Sequence, residues 1–130
     1  MSATEEKRVS ELARGFPGLD LLLLFGSRAR GDVHPHSDWD FAYLAGPGFE
    51  PDELLARLVL LLGTDRIDLV DLGRASGLIR YRAVAEGRPL FESAPDVFER
   101  FWFEAASFWW DMGPIFEAGY EEILQRVARS

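Results

Sequence analysis

The sequence predicts an α/β (α+β) domain, a small sheet of about four strands flanked by helices, with more helix at the C-terminal end. Three observations lead there. Short apolar runs recur at Leu19 to Phe25, Trp39 to Leu44, Arg66 to Leu72 and "PLFES". Stretches with apolar residues at helical spacing lie between them, so strands and helices alternate. Glycine and proline punctuate the junctions.

The elements follow in order. Ala3 to Arg14 reads as a helix, Leu19 to Phe25 as a strand, Gly26-Ser27 as a turn, and the residues through Gly31 as a short helix or loop. Trp39 to Leu44 is the second strand. "GPGFEP" is a loop whose Pro51 suits the first position of a helix running to Leu62, with Gly63 as its cap. Arg66 to Leu72 is the third strand. Leu78, Ile79, Tyr81, Ala83 and Val84 are spaced for a helix that ends at Gly87, and "PLFES" is the fourth strand. Pro95 to Ser130 is helical in spacing but broken at "MGPIF", because a proline inside a helix removes a hydrogen bond and clashes with the preceding turn. Two helices are expected there.

Composition narrows the function classes. The 130 residues, 48% of them apolar, suffice for one domain with a real core. No apolar run approaches a membrane span, and the start, MSATEEKRVS, is charged where a signal peptide needs an apolar region. A cytoplasmic location with no membrane contact is expected. The absence of cysteine excludes disulfides, thiol catalysis and thiolate metal sites. A net charge of -8 repels phosphate backbones, so direct nucleic-acid binding is not expected. Lys7 is the single lysine among 14 basic residues, and arginine's planar fork suits carboxylate and phosphate.

The stretch "LLLLFGSRARGDVHPHSDWDFAYL", Leu21 to Leu44, concentrates the chemistry. Side chains alternate along a strand, so Asp38 and Asp40 share one face about 7 Å apart while Trp39, Phe41 and Tyr43 take the other. Two like charges this close call for a cation, and a hard ion such as Mg²⁺ takes carboxylate oxygens while leaving sites open to phosphate. Gly26 follows an apolar strand and lets a phosphate approach the main chain, and Ser27 adds a hydroxyl. N–H groups at the start of a short helix would face the same anion, with Arg28 and Arg30 adding forked charge-assisted hydrogen bonds. His34 and His36, separated by Pro35 and without further His or Cys in the chain, read as a plain loop and receive no role.

Gly26-Ser27, a ten-residue interval and Asp38-Trp39-Asp40 resemble the signature of the polymerase-beta-like nucleotidyltransferase superfamily. "GSRARGDVHPHSDWDF" is similar to its minimal nucleotidyltransferase (MNT) branch, which includes antitoxins of HEPN/MNT toxin–antitoxin systems. "IDLVDL" and "RYRAVAEGRPLFE" resemble the third strand and closing helix-strand, so the likeness covers roughly Leu19 to Glu92 of a single domain spanning 1–130 and leaves the segment from about 95 outside it. The resemblance implies a small mixed sheet. It also implies a third carboxylate on the strand beside Asp-x-Asp. Asp65, Asp68 and Asp71 are available; Asp68 matches the family position, Asp71 should face the other way, and Asp65 lies in the preceding turn.

The family's chemistry then implies a role for each residue. Phosphates of ATP lie over Gly26 and Ser27 with Arg28 and Arg30. Asp38, Asp40 and Asp68 hold Mg²⁺ as the catalytic and metal-binding set, and a hydroxyl attacks the α-phosphate in line while pyrophosphate leaves. Some 40 residues after the fourth strand leave little room for an acceptor pocket. The implied acceptor is a tyrosine of a HEPN-domain ribonuclease toxin (HepT-like) held in a hetero-oligomer. A non-catalytic antitoxin acting by occlusion and a free-standing nucleotidyltransferase for a small hydroxyl compound are the alternatives. Nine of the 17 aromatic residues fall between Phe98 and Tyr120. Phe101, Trp102 and Phe103 are consecutive, as are Phe108, Trp109 and Trp110, so they cannot all face one side of a helix. Some should be exposed or meet a partner.

Overall fold

The structure, a computed structural model, describes residues 1–31, 38–108 and 110. Its elements are α1 (Ala3–Arg14), β1 (Leu19–Phe25), α2 (Ser27–Arg30), β2 (Trp39–Ala45), α3 (Pro51–Leu62), β3 (Ile67–Asp71), α4 (Gly77–Glu86) and β4 (Arg88–Glu92). Residues 97–108 are also helical. The order and types agree with the sequence reading, and strand ends move by one residue. The expected break at "MGPIF", the second C-terminal helix, His34, His36 and Trp109 lie outside the described residues.

Local signals explain the helix ends. The Ser2 hydroxyl accepts from the Glu5 N–H at 3.1 Å while the Glu5 carboxylate accepts from the Ser2 N–H at 3.2 Å, a reciprocal cap that starts α1. Pro51 opens α3, and Gly63, left-handed at φ 70°, closes it. The Ser76 hydroxyl accepts from Ile79 N–H at 3.3 Å and starts α4.

The sheet runs β3-β2-β1-β4. β1 pairs antiparallel with β2 and β4, and β2 pairs parallel with β3 through the α3 crossover, so the sheet is mixed. Alternation from Leu21 onward divides β1 and β2 between two cores. Leu22, Leu24, Trp39, Phe41 and Tyr43 face α1 and α3, where they meet Val9, Leu54 and Leu58. Leu21, Leu23, Phe25 and Ala42 face the other way, toward Ala83 and Val84 of α4 and toward Phe101 and Ala105. A sheet buried on both faces needs near-continuous apolar strands, which is why β1 reads Leu-Leu-Leu-Leu-Phe.

The C-terminal aromatics separate as their spacing required. Phe101 is 3% exposed, whereas Trp102 is 42%, Phe103 57% and Trp110 81% exposed. Only Phe101 of these belongs to the core between sheet and helix. Phe101→Ala is therefore expected to cost about 3–5 kcal/mol of folding stability. Trp102→Ala should cost under about 1 kcal/mol, both read from urea unfolding midpoints; equal losses would place Trp102 in the core.

Candidate active site

The strand register assembles the acidic end of the sheet. Phe25 pairs with Asp40, and Asp40 pairs with Asp68, so the end of β1, the start of β2 and the start of β3 lie side by side. Cross-strand partners share a face, which puts Asp68 beside Asp40. Asp38, two residues before Asp40, lies on the same side. Asp71 pairs with Tyr43 on the opposite face and Asp65 precedes the strand, so Asp68 is the residue of β3 that joins Asp40. Asp38 and Asp68 are exposed and Asp40 is half-buried.

Gly26 closes the arrangement from the β1 side. It has φ 76° and ψ -158°, backbone that glycine alone adopts without strain. A Cβ there would overlap the Oδ2 of Asp40. Its carbonyl accepts from the N–H groups of Ala29 and Arg30, each at 3.1 Å, and this turns the chain directly from β1 into α2. Ser27 thus stands at the first position of α2, where backbone N–H groups have no acceptor within the helix.

The electrostatics follow from the crowding. Burial, then the Asp68 carboxylate and then the Asp38 carboxylate push the Asp40 carboxyl up, against a smaller downward pull from Arg82 and Arg30. A cluster that resists its own ionisation suits a hard divalent cation. Mg²⁺ is commonly held by one or two carboxylates plus substrate phosphates and water, so a full protein cage is not required. Among the described residues, no group of three or more His, Cys, Asp or Glu side chains is placed to hold a metal ion by itself.

The two arginines read from the sequence part company. Arg30 lies near Asp40 and donates to Glu86 at 3.1 Å. The Arg28 guanidinium stacks over the Trp39 ring, 3.9 Å from its centroid, and Trp39 belongs to the sheet face turned away from Asp40. Arg82 and Glu86, at the end of α4, were not anticipated. Arg82 acts on Asp40, and Glu86 bridges it to Arg30. Their local sequence signals an i,i+4 pair on a helix surface and nothing more. A cavity of about 370 Å³ lined by Leu12, Phe16, Pro17 and Glu50 lies on the aromatic side of the sheet, away from Asp40.

Residues 7–96 match the family described as "Polymerase beta, Nucleotidyltransferase". The chain belongs to this nucleotidyltransferase family. It is 37% identical over 97 residues to the "Protein adenylyltransferase MntA" of Aphanizomenon flos-aquae, a match spanning 65% of each chain. Among solved structures, a toxin-antitoxin with AMP-PNP superposes with TM-score 0.72 at 30% identity, covering 92% of this chain and 98% of that one. An MNT antitoxin in complex with a tri-AMPylated Shewanella oneidensis HEPN toxin gives TM-score 0.70 at 27% identity, covering 95% and 99%. The nucleotidyltransferase core, 7–96, contains Gly26, Ser27, Asp38, Asp40 and Asp68, and also Arg82 and Glu86.

Two outcomes follow from this geometry. Gly26→Ala should lower stability by about 1–3 kcal/mol through forced backbone strain, and more if the new methyl displaces Asp40; chemical denaturation measures it, and a neutral effect would mean that the turn is misplaced. For Asp40, a raised native pKa means the folded state binds the proton more tightly than the unfolded one, so stability falls as pH rises through the interval from the ordinary carboxylate value to the raised native value. Asp40→Asn should therefore melt above the parent at neutral pH, with the gap closing as pH drops through that interval. Parallel melting curves from neutral to acid pH check the sign.

Proposed function

We propose that the chain is a single nucleotidyltransferase domain of 1–130 that transfers AMP from ATP to a hydroxyl of a HEPN ribonuclease toxin, a tyrosine by the family's chemistry, and silences it as an antitoxin in the cytoplasm. The observation that carries the reading is the register that sets Gly26 and Ser27 against Asp40 and Asp68 at one sheet end. Family membership supports it, as do the adenylyltransferase name of the relative and the AMP-PNP and AMPylated-toxin complexes of the structural neighbours.

The residues divide the work. Gly26 leaves the main chain open for phosphate oxygens, and Ser27 and Arg30 add donors to them. Arg28, stacked on Trp39, braces the turn against β2. Asp38, Asp40 and Asp68 are the carboxylates that would share Mg²⁺ with the phosphate oxygens, and the ion would supply charge neutralisation there. Asp68, exposed beside Asp40, would accept the proton of the attacking hydroxyl. The new bond joins that oxygen to the α-phosphorus while the bond to the bridging oxygen breaks and pyrophosphate departs in line.

A non-catalytic antitoxin would have no use for carboxylates held together against their repulsion. A small-molecule acceptor would need a place beside the acids, and neither the cavity of about 370 Å³ at Phe16 nor that of about 290 Å³ at Phe101 is lined by Asp38, Asp40 or Asp68. An open acidic end suits an acceptor presented by another protein.

Co-expression of the HEPN partner with either the parent chain or Asp40→Asn tests the proposal by intact-protein mass spectrometry. AMP additions should appear with the parent in a magnesium-dependent way and drop by at least about a hundredfold with a folded Asp40→Asn protein, the scale of losing a group that acts on the transition state. Undiminished AMP addition by that variant would remove Asp40 from the site. Absence of any adduct with the parent would leave binding alone as the antitoxin mechanism.

A further inference from the structure

Two arginines act on the Asp40 carboxyl, and the Glu86 carboxylate pairs with both. Arg30 Nη1 donates to Glu86 Oε2 at 3.1 Å, linking residues 56 apart in sequence. Arg82 Nε, one turn before Glu86 on α4, donates to Glu86 Oε1 at 3.4 Å and lies 3.4 Å from Oε2 as well. The two guanidiniums come from different elements. Arg30 sits in the short helix that Gly26 and Ser27 begin. Arg82 adjoins Ala83 and Val84, which pack on Phe25 and Ala42 on the Asp40 side of the sheet.

A carboxylate spanning two guanidiniums occupies the position and satisfies the donors that a pair of phosphate oxygens would take. Its side chain is 26% exposed, with Arg30 at 43% and Arg82 at 51%, so the bridge is wet and contributes little binding free energy of its own. The two guanidiniums that Glu86 occupies are the ones that lower the Asp40 carboxyl. A bridge this exposed can open at small cost and release both guanidiniums to a stronger anion.

We propose that Arg30 and Arg82 form the seat of the ATP triphosphate and that Glu86 fills this seat until the nucleotide displaces it. The identity of the anion rests on the nucleotidyltransferase reading above; Arg82 and Glu86 extend it. Displacement makes Glu86 a competitor, so the apparent nucleotide affinity is set partly by the bridge that must break.

Calorimetry on the full chain at fixed magnesium and salt, with inorganic tripolyphosphate and with ATP as probes, tests this on Glu86→Gln, Arg82→Ala and the double variant. Glu86→Gln should tighten both probes by about fivefold and Arg82→Ala should weaken both by about tenfold, the scale of one charge-assisted contact regained or lost. In the Arg82→Ala background the gain from Glu86→Gln should shrink, because the competition runs through that guanidinium. Tripolyphosphate binding by Glu86→Gln that equals or falls below the parent's overturns the proposal. So does a gain of undiminished size in the double variant, which would mark simple removal of a negative charge, and so does a parent that binds no tripolyphosphate. If AMP transfer fails while Glu86→Gln still tightens tripolyphosphate, the transfer reading falls and the seat stands. If transfer proceeds and the affinities do not move, the seat alone falls.

Discussion

Mutual repulsion among Asp38, Asp40 and Asp68 is the constraint that the rest of the sheet end has to withstand. Solvated carboxylates on flexible loops would move apart. Here backbone hydrogen bonds fix Asp40 opposite Phe25 on one side and Asp68 on the other, and a one-residue slip would turn every side chain of β2 over. Such a slip is opposed by Phe41, Leu24 and Leu22, fully buried on the aromatic face. The apolar strands on either side of the polar turn thus have a task beyond filling a core. They hold charges at a separation that the charges themselves disfavour.

The same alternation assigns the two faces of β2 to separate duties. Trp39, Phe41 and Tyr43 anchor the strand to the layer of α1 and α3, with the Trp39 and Phe41 rings stacked 6.1 Å apart. The opposite side begins acidic at Asp38 and Asp40 and becomes apolar at Ala42, where α4 covers it. Arg28 ties the aromatic face to the turn by lying over Trp39. Gly26 completes the join, since any side chain at that point would strike Asp40. Turn, strand and acid are therefore a single steric unit, and the motif's spacing reflects that unit.

Much of this was legible in the sequence because it depends on local pattern. Apolar runs, a proline at Pro51 and glycine at Gly63 fix α3, and two-residue periodicity puts Asp38 with Asp40 and Asp71 on the other side from Asp68. What stayed hidden depends on contacts between distant elements. Arg28 carries the charge and shape of a phosphate ligand, and only the tertiary position of Trp39 shows where its guanidinium goes. Arg82 and Glu86 resemble any surface i,i+4 pair until the fold brings Arg30 to them across 56 residues. In the C-terminal segment, consecutive aromatics implied that some are exposed, yet only the packing of Phe101 and Ala105 against the sheet says which.

The division of charge at the site follows the mechanics of the elements that supply it. Strands β2 and β3 contribute Asp40 and Asp68, on short side chains whose positions the ladder fixes, with Asp38 one residue ahead of β2. Helices α2 and α4 contribute the Arg30 and Arg82 guanidiniums, on long side chains that pair with Glu86 and keep more freedom than a strand-borne acid. Exchanging the two would undo the arrangement: long acids would relax away from one another, while cations fixed on a strand beside Asp40 would neutralise it directly. Acid and arginine elements join at Gly26, whose carbonyl accepts from the Arg30 N–H and whose missing side chain leaves room for the Asp40 carboxylate.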